Sequence, residues 1–144
     1  MKIELTKFNQ YLLEFIEDLK YICNKEELTK FKKGLTFIKY NSSIAIRLFK
    51  LNIADNELYR YMIMEENEMF FLNHDFNNNQ ISNISNFSNI INDIKHKWIS
   101  LNTTEKNNIW KYLKILLYYC DLSNKIDTKK YHLLLKNKFM RCYN

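Results

Sequence analysis

The sequence predicts an all-α protein, a compact bundle of about six helices with a basic C-terminal helix or tail, and three observations carry that expectation. Apolar residues recur at alternating steps of three and four in several long windows, as they do along one face of an α-helix. The chain has no proline and one glycine, Gly34, so the commonest turn formers of an all-β protein are missing. Its 144 residues, 47% hydrophobic and 26% charged, match one ordinary globular domain able to bury its own core.

The elements follow in order. Leu5, Phe8, Leu12, Phe15, Leu19 and Ile22 fall on one stripe of a first helix. Asn24 caps a second, with Glu27 three residues on and Leu28, Phe31, Leu35 and Ile38 along its apolar side. Gly34 lies inside that helix, at a cost of about 1 kcal/mol relative to alanine, and allows a close helix contact. Asn41 to Ser43 cap a third helix carrying Ile44, Leu48 and Leu51, and Asp55 caps a fourth carrying Leu58 and Met62. Met69 to Leu72 form a short apolar piece, followed by an Asn-dense loop from Asn73 to Asn79.

A fifth helix carries Ile84, Phe87, Ile91, Ile94, Trp98 and Leu101. Asn102 or Thr103 then caps a sixth, from about Thr104 to Asp121, with Ile109, Leu113, Leu116 and Cys120 on one face. Trp110, Tyr112, Leu117 and Tyr119 widen that face, which places this helix at the centre of the bundle. Residues 1–121 therefore read as the bundle, and residues 122–144 as a basic helix or tail packed on it or extending from it.

Asn, Ile, Lys, Tyr and Phe are abundant, valine is absent and alanine occurs only at Ala45 and Ala54. This is the bias of AT-rich coding, and it weakens any inference from asparagine alone. The N-terminus lacks the pattern of a secretory signal. The densest apolar run, Ile115 to Cys120, is far short of the roughly 20 residues of a membrane span. Three widely spaced cysteines, Cys23, Cys120 and Cys142, fit reduced thiols in a cytosolic or nuclear compartment.

No chemistry-bearing motif emerges. His74, His96 and His132 are far apart, and no Cys-x-x-Cys or His-x-x-x-His spacing occurs, so a metal site is not expected. One glycine cannot build a phosphate loop or a dinucleotide fingerprint. Neighbouring acids such as Glu17 with Asp18, or Glu65 with Glu66, diverge on a helix and form no dyad. No catalytic residue and no cofactor is assigned. Phe70, Phe71, Trp98 and Trp110 are expected to pack the core, since large aromatics mostly supply buried area.

The net charge of +6 is unevenly spread. Residues 1–52 carry +4, residues 53–80 carry −5 and residues 81–144 carry +7. Intramolecular complementarity is the simplest explanation. A sharper one concerns the C-terminus, where Lys125, Lys129, Lys130, Lys136, Lys138 and Arg141 form a candidate basic contact surface. Tyr131, Phe139 and Tyr143 interleave as candidate aromatic contacts, alongside Leu134 and Leu135. Such a segment suits nucleic acid, through phosphate neutralisation and base stacking. It equally suits an anionic membrane surface, an acidic protein groove, or a terminal helix packing its apolar side on the bundle.

Several stretches also resemble a known group. These are Phe8 with Leu12 to Phe15 and Asp18-Leu19, Asn41 with Ile44, Ile46 and Phe49, and Glu68-x-Phe70-Phe71-Leu72-Asn73-x-Asp75-Phe76. Trp98, Leu101 and Ile109-Trp110-Lys111-Tyr112-Leu113 complete the pattern. Together, over roughly Leu5 to Tyr119, they resemble uncharacterised small helical proteins of nucleocytoplasmic large DNA viruses. The resemblance implies a viral protein working in the host-cell cytoplasm or nucleus, or carried in virions. It implies no activity and no site residue. The expectation is thus a non-enzymatic helical protein mediating protein-protein interaction with a viral or host partner. Nucleic acid and an anionic membrane surface are the alternative partners, and a cryptic enzyme the alternative class.

Overall fold

A computed structural model of the chain describes residues 2–23, 25–26, 28–29, 43–76 and 87–143; the side chains of residues 2, 87–89 and 141–143 are not among what it describes. Seven α-helices and no strand occur among the described residues: α1 (Lys2–Leu19), α2 (Ser43–Phe49), α3 (Glu57–Met64), α4 (Glu68–Asn73), α5 (Phe87–Lys97), α6 (Thr103–Ser123) and α7 (Thr128–Tyr143). The protein is all-α, as its periodicity predicts. The proposed second helix lies largely outside the described residues, although Lys25, Glu26, Leu28 and Thr29 are helical and Leu28 is buried.

The centre is α6. Its start is fixed by a capping box, in which the Asn102 side chain accepts from the Glu105 amide and Glu105 accepts from the Asn102 amide. Its N-terminal half gives Ile109 and Trp110 to a core shared with Ile16 and Leu19 of α1 and with Ile90, Ile94 and Trp98 of α5 and its 3-10 extension. Its C-terminal half gives Leu116, Leu117 and Cys120 to a second core with Phe8, Ala45, Ile46, Phe49 and Ile63. Along the α1–α6 seam, Phe15 stacks on Tyr112 and Tyr11 on Tyr119, with ring centroids 5.1 and 5.7 Å apart. Burying each large apolar side chain here contributes about 1.5–3 kcal/mol.

Two expectations about α2 and α3 need correction. The buried side of α2 is Ala45, Ile46 and Phe49, not Ile44, Leu48 and Leu51; Leu51 is 61% exposed. Phe49 meets Phe8 edge-on at 5.4 Å, and the small Ala45 lets the helix approach closely enough for that contact. A π-helical turn, Lys50–Ala54, then widens the spiral so that Ala54 returns to the core while Leu51 points outward. The cap of α3 is Asn56, whose side chain accepts from the Tyr59 amide, and not Asp55, which pairs with Lys50 across the π turn. Among the described side chains of α5, Ile90 is buried beside the predicted Ile94, with Ile91 half-buried; Trp98 of the 3-10 extension is buried as predicted.

The described turns after α3 and α6 are built without glycine. After α3 the amide of Asn67 bonds the Met62 carbonyl and that of Glu66 bonds Ile63; after α6 the amide of Ile126 bonds Asp121 and that of Lys125 bonds Leu122. Both are Schellman turns, which need one residue at positive φ. Glu66 (φ 52°) and Lys125 (φ 58°) supply it, at a cost of about 1–2 kcal/mol each that glycine would avoid.

Candidate interaction surface

The C-terminal segment is helix α7. Asp127 caps it, its side chain accepting from the Lys130 amide at 3.1 Å, and the helix lies against α3 and α6. A third core, formed by Tyr61, Met62 and Leu135 with Leu58, Phe70, Tyr131 and Phe139 around it, joins α7 to α3.

At the base of this contact are the two buried charged residues among the described ones. Arg60 and Asp121, with side chains 3% and 1% exposed, form a bidentate pair at 2.7 and 2.5 Å. Thr128 donates to the same carboxylate at 2.8 Å, and Arg60 also donates to the Ala54 carbonyl. The Tyr131 ring covers the guanidinium, 4.3 Å from it, so three helices meet on one ion pair whose polar atoms are otherwise hidden from water. Sequence reasoning missed it. The signal was there in reciprocal form, since Arg60 is the one cation of the acidic segment and Asp121 one of four acids in the basic one.

The charge asymmetry resolves into partners. Every acid of residues 53–80 has a basic neighbour in the flanks: Asp55 pairs with Lys50, Glu57 with Lys138, Glu66 with Lys114 and Glu68 with Lys106. Glu65 bonds His132, and the charge of Asp75 acts on Lys95. The bond from Lys138 holds the Glu57 carboxyl below its ordinary pKa, and bonds from Trp98 and then Lys106 do the same for Glu68.

The candidate contact residues therefore divide. Tyr131 and Phe139 face inward, Phe139 packing 5.2 Å from Tyr61 and the Tyr131 hydroxyl donating to Glu57. Lys138 is engaged with Glu57, and the backbone of Lys125 forms the turn before α7 while its side chain is exposed. Lys129 and Lys130 are exposed and Lys136 is half-buried, none with an ionic partner among the described residues. Arg141 and Tyr143 belong to the last turn of α7, and their side chains lie outside what the structure describes. Beside these lysines stand Leu134 (69% exposed), which the sequence places among the basic residues, and two residues the sequence reading passed over, Leu133 (61%) and Met140 (44%). Three successive leucines on a helix point about 100° apart, so only Leu135 reaches the core, at 2%.

Elsewhere the chemistry is quiet. Burial pushes the thiols of Cys23 and Cys120 up to about 12, which suppresses the thiolate a nucleophile or metal ligand needs. His74 accepts from or donates to the Tyr59 hydroxyl at 2.8 Å among Phe70 and Phe76. No three His, Cys, Asp or Glu residues converge on a metal-sized point among the described residues, and none of the described helices is long and apolar enough to cross a membrane.

No family model, curated protein or solved structure matches the chain.

Proposed function

We propose that this chain is a non-enzymatic viral helical protein that binds another protein, viral or host, through the outward face of α7, as a virion or factory component or a host-directed adaptor. The observation that carries the reading is the division of α7 into two faces of similar chemistry. Its inner face docks on α3 through Leu135, Tyr131 and Phe139, flanked by Lys138 on Glu57 and His132 on Glu65. Its outer face offers Leu133, Leu134 and Met140 beside Lys129 and Lys130 with those positions unfilled. The partner that complements it is an acidic amphipathic segment, leucines against leucines and carboxylates against lysines. Stacking on nucleobases calls for exposed aromatics, whereas Tyr131 and Phe139 are committed inward. The viral setting rests on the resemblance described above.

Peptide display on the intact protein tests this, with counter-selection on a folded Leu133→Asp, Leu134→Asp variant. Enrichment of acidic, leucine-bearing peptides that the variant no longer retains is the expected result. Peptides retained equally by the variant would refute it. So would stronger binding of single-stranded DNA or of phosphatidylserine vesicles than of any selected peptide.

A further inference from the structure

Helices α1, α2, α3, α4, α5 and α6 line a partly open apolar cavity of about 180 Å³. Phe15, Phe71, Ile91, Trp110 and Leu113 are among the side chains that line it, and no polar surface of the described residues faces into it. The polar residues at its margin are occupied elsewhere, the Tyr59 hydroxyl with His74 and the Asn67 side chain with the Phe70 amide. Water entering such a space would forfeit hydrogen bonds and find no partner among the described lining residues. Interiors otherwise pack to crystal density, with few voids larger than one water, and an apolar cavity of about 150 Å³ is enough to take up benzene or xenon.

We propose that this cavity is a binding site for a small, neutral, apolar molecule of about one aromatic ring or a short branched alkyl group. The ring-rich lining supplies dispersion contacts to a flat or branched guest. The absence of a facing donor, acceptor or charge among the described lining residues selects against a guest bearing a hydroxyl, amine or carboxylate, whose desolvation they would not offset. The site is separate from the outer face of α7, on which Leu133 and Leu134 stand.

Benzene and phenol, matched in size and different in polarity, are the probes. Benzene at about a tenfold excess over its dissociation constant should raise the melting temperature by about 4 °C, and phenol by less than half as much. Substitutions that fill the space, Leu113→Phe and separately Ile91→Phe, should abolish the benzene shift in whichever variant retains native helicity. No benzene shift in the unmodified protein would overturn the proposal. Equal shifts from benzene and phenol would do the same, as would a benzene shift that persists in a folded filled variant.

Discussion

At the scale of single residues, the pair of Arg60 and Asp121 decides most. Two charges removed from water cost several kcal/mol each, and only their mutual geometry and added bonds offset this. Here the carboxylate receives two bonds from the guanidinium and one from Thr128. Asp121→Asn leaves Arg60 buried beside a neutral amide and should cost about 3–5 kcal/mol. The paired change Arg60→Met with Asp121→Leu should recover most of that loss, and urea unfolding of both variants measures the difference. His74 sets a milder limit. Burial first, and the Lys95 charge second, hold its imidazole below its ordinary pKa of 6.5. The neutral ring is the folded form, so this stability is complete above 6.5 and is lost as pH falls through the depressed value. Glu57 and Glu68, also depressed, add a second loss below their ordinary 4.5. The melting temperature should therefore fall as pH drops below about 6.5, with a shallower fall in His74→Gln.

At the scale of elements, legibility followed the length of the apolar stripe. The repeats of α1 and α6 extend over several turns, so one misassigned residue cannot move the face, and Phe8, Leu19, Ile109 and Leu116 are buried as their spacing requires. In α2, only seven residues long, Ile44 and Leu48 suggested one face while Ala45, Ile46 and Phe49 took another. A short helix has its buried side chosen by its neighbours, here Phe8, and the π turn that follows breaks the 3.6-residue period on which the stripe was read. The turns at Glu66 and Lys125 were illegible because the usual marker, glycine, is absent, and their left-handed backbone rests on hydrogen bonds that close only in the fold. At the C-terminus the lysines were legible and the side of the helix they occupy was not. Which of Leu133, Leu134 and Leu135 points inward depends on where α3 lies.

At the scale of the whole molecule, the acidic middle of the chain is the seat for its basic flanks. The individual surface pairs are worth about 0–1 kcal/mol each, so their weight lies in register. Those of Lys138 and His132 direct α7 to α3, while the buried pair and the third core supply the affinity. Neutralising the middle also leaves the surplus positive charge on the outer surfaces, among them the outward face of α7 that the proposed function requires. All of this depends on α7 being part of the packed structure. Native-state hydrogen exchange resolved by residue tests that most directly. Amides from Leu135 to Phe139 should be protected comparably to those from Leu116 to Cys120 in α6, and in Asp121→Asn the protection of α7 should fall further than that of α6. Rapid exchange throughout α7 in the unmodified protein, with α6 fully protected, would contradict the seating of this helix.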